Sequence, residues 1–146
     1  MEGELKKLVI VDDDVSYLSI VRNLLKSYFE VYPAPSAIKL FTIMGNFIPD
    51  MVLLDLDMPG MNGFQVIKAM KENPRYKDVP IMLLTAMEDE SSLMEGLNLG
   101  ATDYVTKPFT GPLLVLRINN ILQIEQQKRE ILTLQATVNE LRNQNR

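Results

Sequence analysis

Five strand-length runs alternate with five segments of helical period along this chain, and that alternation limits its fold more than any other feature. The clearest run is Met51-Val52-Leu53-Leu54, which drives into Asp55 and is followed by a turn at Pro59-Gly60. Such a run carries no polar alternation, so the strand it forms is buried on both faces, as in a parallel sheet. Leu8 to Val11 ends in Asp12-Asp13-Asp14, and Ile81 to Leu84 ends in Thr85. Asp103 to Thr106 ends at Lys107-Pro108, and Phe29 to Tyr32 is a short strand closed by Pro33 and Pro35.

Helical spacing fills the intervals. From Val15 to Phe29 it runs through Tyr17, Leu18, Val21, Leu24, Leu25 and Tyr28, with Asp14 as N-cap. Ser36 caps a second helix whose core face is Ile38, Leu40, Phe41 and Met44. A third spans Phe64 to Glu72, with Val66, Ile67 and Met70 on one face, and Asn73-Pro74 stops it. The fourth spans Glu88 to Leu99, with Gly100 at its C-cap. The last begins near Thr110 and meets no stop signal. The fold class is therefore α/β: a doubly wound, five-stranded parallel sheet flanked by helices on both faces. Residues 1–123 form the domain and 124–146 a helical extension, where the composition shifts to Gln, Glu, Asn and Arg.

Composition removes several chemistries. The chain has neither cysteine nor histidine, so it has no disulfide, no thiol nucleophile and no imidazole base or ligand. Any metal site is built from oxygen, which suits Mg²⁺, Ca²⁺ or Mn²⁺. A net charge of -4 speaks against direct nucleic-acid binding. No apolar run is long enough for a bilayer, and the charged start from Met1 to Lys7 is no signal peptide. A cytoplasmic location is expected.

In a parallel sheet the polar strand ends Asp12, Asp13, Asp55, Thr85 and Lys107 share one edge. Clustered carboxylates repel, so they either take up protons or hold a hard cation. An ammonium and a hydroxyl beside them suit phosphoryl transfer, with Asp55 as the nucleophile.

These residues, taken with Asp55 in Asp-Leu-Asp-Met-Pro-Gly-Met-Asn-Gly, Thr85-Ala86, and Tyr104 with Lys107-Pro108-Phe109, resemble the receiver domain of two-component response regulators over about residues 5 to 125. The resemblance implies a flavodoxin-like sheet of order 2-1-3-4-5. It also implies phosphorylation of Asp55 by a sensor histidine kinase or histidine phosphotransfer protein, with Mg²⁺ (Mn²⁺ as the substitute). By position, Asp13 and Asp55 ligate the metal, Asp12 acts through water, and the Asp57 backbone carbonyl contributes. Lys107-Pro108 is expected to be cis. Thr85, Ala86, Tyr104 and Lys107 are the expected phosphoryl-binding and switch residues. No enzymatic turnover is implied beyond accepting the phosphoryl group and losing it.

A doubled charge on Asp55 would draw Thr85 and Lys107 onto it, letting Tyr104 turn inward. The face of the fourth helix, fifth strand and last helix then changes shape. Asp57 and Met87, each two residues past a site residue, flank the path of a hydrolytic water: apolar Met87 shields the acyl phosphate, and acidic Asp57 either orients that water or repels it. Leu53-Leu54-Asp55-Leu56-Asp57 also resembles the motif of haloacid-dehalogenase-like phosphatases. There, however, the paired metal acids follow the lysine, whereas here Asp12-Asp13 come first.

The last helix outruns what such a domain needs, at about 50 Å for about 1.5 Å per residue. A heptad places Ile124, Ile131 and Val138 at a, and Gln127, Leu134 and Leu141 at d. β-branched a residues with Leu at d favour a parallel homodimer. Arg117, Asn120 and Gln127 weaken the seam upstream. The other reading is an amphipathic helix folded back on its own domain. A helix of this kind links a receiver to an output domain, or is itself the output. The linker resembles those preceding cyclic-di-GMP-handling domains. Two functions follow: a phospho-switch controlling a dimer, or a receiver-shaped scaffold whose coil binds a partner constitutively.

Overall fold

The computed structural model describes residues 4–86 and 89–145. Its strands are β1 (Lys7–Val11), β2 (Glu30–Ala34), β3 (Met51–Leu54), β4 (Ile81–Thr85) and β5 (Asp103–Thr106), and its helices are α1 (Val15–Leu25), α2 (Ala37–Met44), α3 (Gly63–Glu72), α4 (Glu90–Leu99) and α5 (Gly111–Gln144). All strand pairs are parallel, in the order β2-β1-β3-β4-β5.

Strand pleating explains the uninterrupted apolar runs. Alternate residues point to opposite faces, and each face carries its own core. Val9, Val11, Val52, Leu54, Ile81 and Leu83 pack with residues of α2 and α3. Leu8, Ile10, Met51, Leu53, Met82 and Leu84 pack with Leu18, Val21 and Leu25 of α1 and Leu114, Ile118 and Ile121 of α5. Both faces exclude water, so β1, β3 and β4 are apolar between their ends, and polar residues stand only at Lys7, where β1 begins, and at Thr85, where β4 ends.

Local chemistry sets the helix ends. Asp14 caps α1 through the Tyr17 N–H at 3.2 Å, and Thr110 caps α5 through Leu113. Asn62 and Gln65 form a reciprocal capping box at α3, which the sequence reading passed over. α4 ends at Gly100, whose φ of 126° lies where a side chain is strained.

Three expectations need correction. α1 stops at Leu25, leaving Tyr28 outside it and exposed and Leu24 on its open side. β2 continues through Pro33, which pairs with Ile10. An edge strand accommodates proline because one side of its backbone needs no partner strand. Ile38, assigned to the core face of α2, is 81% exposed, because Ala37, Leu40 and Met44 form the buried stripe. The long last helix expected from the sequence is α5, one helix of 34 residues whose buried positions end at Ile121; just beyond, Glu125, Lys128, Arg129 and Leu132 line a shallow pocket with Lys71, Pro80 and Thr102.

Candidate functional site

The chain path reverses direction across the sheet between β1 and β3. The connections that follow them leave toward opposite faces of the sheet, and a crevice lies between them. Asp12 follows β1 and Asp55 follows β3, held side by side by the ladder: the Asp55 N–H donates to the Val11 carbonyl at 2.9 Å. Thr85 ends β4, and Lys107 follows β5, its N–H donating to the Thr85 carbonyl at 2.9 Å. Four adjacent strands thus deliver four polar side chains to one edge.

The loop beneath Asp55 is packed tightly. Gly63 opens α3 with its N–H donating to the Leu56 carbonyl at 3.0 Å. A Cβ at Gly63 would stand 2.6 Å from the Leu56 Cα and 2.7 Å from the Asp55 carbonyl oxygen. Both are backbone atoms with nowhere to move, so the approach of α3 to the acid requires glycine.

Asp12, Asp13 and Asp55 each offer an oxygen within 4.8 Å of the others. Asp13 is exposed, whereas Asp12 and Asp55 are buried. Lys107 Nζ stands 2.6 Å from Asp12 Oδ2 and 4.0 Å from Asp55 Oδ2. Asp12 also accepts the Asp14 N–H at 2.9 Å. Asp12 is therefore well compensated, and Asp55 less so. Burial, with the Asp12 charge adding to it, pushes the Asp55 carboxyl up to about 6. Lys107, the Asp57 N–H and the Thr85 hydroxyl oppose this without cancelling it. An acid so placed gains from any cation that enters the crevice.

The remaining expected residues fall around this cluster. Thr85 is fully buried, and Ala86 and Asp57 are exposed. The Asp57 N–H reaches Asp55 Oδ1 at 3.3 Å. The Lys107-Pro108 peptide is cis. Tyr104 pairs in register with Leu83, which places it on the same sheet face as Thr85, and 36% of it is exposed. Met87 lies outside the described residues.

Two contacts escaped the sequence reading. Tyr17, assigned only to the apolar face of α1, lays its ring against the Lys107 ammonium, 4.0 Å from the ring centroid. Arg117 of α5, counted as a blemish in the heptad, pairs with Asp103 Oδ2 at 3.2 Å and donates to the Tyr104 carbonyl at 3.3 Å. The only sequence signal for the first was an aromatic residue in the first turn after the acidic run. For the second it was a lone cation in the first half of the last helix.

Among the described residues no helix is long and apolar enough to cross a membrane. The chain matches the response regulator receiver domain over residues 8–119. It is 35% identical over 121 residues to a probable cyclic di-GMP phosphodiesterase of Vibrio cholerae, covering 83% of this chain and 27% of that protein. It is 30% identical over 120 residues to the response regulator PleD of Caulobacter vibrioides, covering 82% and 26%. The chain thus spans about a quarter of the length of these two relatives. A putative response regulator from Chloroflexus aurantiacus superposes with a TM-score of 0.78 at 34% identity, over 82% of this chain and 99% of that one. With the strand order, the acidic edge and this match over most of its length, the chain belongs to the receiver domain family of two-component signal transduction.

Proposed function

We propose that Asp55 is the phosphoacceptor of a cytoplasmic two-component switch, its donor a phosphohistidine on a sensor kinase or histidine phosphotransfer protein. The observation that carries this is the environment of Asp55: two further carboxylates within 4.8 Å, an ammonium at 4.0 Å and the Thr85 hydroxyl, all at one sheet edge. One Asp55 oxygen attacks phosphorus. The P–N bond breaks, and its electron pair leaves with the imidazole, which takes a proton from solvent.

The donor set fits Mg²⁺, being hard, anionic and partly open through Asp13. Asp13 and Asp55 would hold the ion directly, Asp12 through water, and the Asp57 carbonyl would complete the protein's share; Mn²⁺ suits the same oxygens. When bound, the ion neutralises phosphoryl oxygens and tempers repulsion among the acids. Lys107 contributes a point charge to the same oxygens, and Thr85 a hydrogen bond.

The output runs through α5. Thr85 and Tyr104 share a sheet face, and Arg117 ties the Tyr104 carbonyl to α5. A shift at Thr85 therefore reaches the α4–β5–α5 face and the helix beyond it. Residues 1–123 serve as the receiver and 124–146 as a coil. Ile124, Ile131, Leu134, Val138 and Leu141 are all exposed along the coil, a seam that a second copy would bury. That same exposure favours the constitutive scaffold as the second reading, since the seam is available without phosphorylation. An output domain handling cyclic di-GMP is consistent with one relative's description.

Mass spectrometry after acetyl phosphate with Mg²⁺ tests the acceptor. A single phosphate adduct is expected on wild type and none on Asp55→Asn. An adduct surviving in Asp55→Asn would overturn the assignment. Sizing with and without beryllofluoride separates a switched dimer from a constitutive one.

A further inference from the structure

The ammonium of Lys107 has two kinds of neighbour. Asp12 and Asp55 lie at 2.6 and 4.0 Å. The Tyr17 ring centroid also lies 4.0 Å away. The face of an aromatic ring carries the negative part of its quadrupole, so it attracts a cation there without competing for its hydrogen bonds. Only 17% of the lysine side chain is exposed, so water screens the contact weakly.

Tyr17 is itself braced. Its N–H is held by Asp14 in the first turn of α1. Its ring meets Phe109 edge-on, with centroids 6.1 Å apart and planes at 87°. Phe109 lies two residues after Lys107, so one loop carries both the cation and the ring that supports its aromatic wall. Burial, then the charges of Asp12 and Asp55, push the Tyr17 hydroxyl up to about 12, so the ring facing the cation stays neutral.

We propose that Tyr17 is a positioning residue for phosphoryl transfer: its ring holds the Lys107 ammonium over the Asp12–Asp55 pair, where the incoming phosphoryl oxygens need a positive charge. This rests on the reading of Asp55 as acceptor. A lysine has a flexible four-carbon stem, and without the ring only its ion pairs with Asp12 and Asp55 would fix the ammonium. Ordering it during transfer would slow the reaction. A ring that orders it beforehand removes that delay.

The test compares Tyr17→Phe, which keeps the ring, with Tyr17→Leu, which keeps apolar bulk without it. Labelling of Asp55 by acetyl phosphate is expected to slow by about two- to thirtyfold in Tyr17→Leu, the range a cation–π contact accounts for. Tyr17→Phe is expected to label like wild type. NMR of the unlabelled wild-type chain supplies a second readout: the ring current should shift the Lys107 ε-protons upfield. The shift should persist in Tyr17→Phe and vanish in Tyr17→Leu. Ordinary ε-proton shifts in wild type would overturn the proposal, whatever the variants do. So would unchanged labelling in Tyr17→Leu, or equal slowing in both variants. A wild-type chain that takes no label overturns the acceptor reading itself, and the ring-current measurement tells the two failures apart because it needs no phosphoryl donor.

Discussion

The carboxyl edge of the sheet and the far half of α5 break the same rule in opposite directions. Charges ordinarily stay in water and large apolar groups leave it. At the edge, Asp12 and Asp55 are buried; along α5, Ile131, Leu134 and Leu141 are more than half exposed. The edge holds repulsion among like charges, which a cation or a change of protonation relieves within one chain. The coil exposes large apolar side chains at its heptad positions, which a second chain or domain would bury. On the proposed reading the first region would respond to ions and pH, and the second to concentration. In a switch the first would be the input and the second the output.

Breaking the seam gives the largest expected effect. Ile131→Asp places a charge at a heptad a position, where a dimer would bury it. Sedimentation equilibrium should show dimer affinity falling by at least about a hundredfold, on the order of 3 kcal/mol. The melting temperature of the receiver should stay unchanged, since Ile131 touches none of its core. A wild-type chain that stays monomeric at high concentration would refute the seam.

Gly63→Ala strikes the opposite region. The new Cβ would meet the backbone of Asp55 and Leu56 rather than a movable side chain. Chemical denaturation should show a loss of about 2–3 kcal/mol. Gln135→Ala, at an exposed position of the coil, should change stability by less than about 0.5 kcal/mol. Equal effects would mean that the acidic edge is no more tightly built than the tail.

The pH dependence of stability should belong to the edge. The Asp55 carboxyl rises from 3.8 to about 6 on folding. The folded state therefore binds the proton more tightly than the unfolded one. Its contribution is full below about 3.8 and is lost as pH rises through about 6. At neutral pH without divalent ion, Asp55→Asn should be more stable than wild type by about 1–2 kcal/mol. That is less than the whole shift, because water entering the crevice solvates the carboxylate. Mg²⁺ should narrow the gap by stabilising wild type alone. Urea melts from pH 4 to 8, with and without Mg²⁺, check this. A gap that does not change across that range would show that Asp55 is not the strained group.

The two regions were not equally legible in the sequence. The strand ends that place Asp12, Asp55, Thr85 and Lys107 could be read because a parallel sheet aligns them whatever the helices do. The heptad of α5 could be read because it is local. Contacts across long separations could not. Nothing near Tyr17 in sequence shows that a lysine 90 positions later comes to rest against its ring. Ile38 was misplaced for a related reason. Periodicity shows that a helix has an apolar face, but Ala37 and Met44 packing with Leu40 decide which face is buried.

The smallest expected effect lies where the two regions meet. Arg117 pairs with Asp103 at 3.2 Å, with its side chain 42% exposed, and reaches the Tyr104 carbonyl at 3.3 Å. An exposed pair of this kind is worth about 0.2–1 kcal/mol. Arg117→Ala should therefore lower receiver stability by no more than that, and raising the salt concentration should shrink the difference. Its informative readout is coupling. Arg117 joins β5 to α5 seven residues before Ile124, one heptad above the seam. If that tie transmits the state of Asp55, then Arg117→Ala with beryllofluoride should dimerise no better than without it, while a wild-type dimer strengthens. If both respond alike, the coil receives its signal through the buried Leu114, Ile118 and Ile121 instead, and the polar contacts of β5 are spectators.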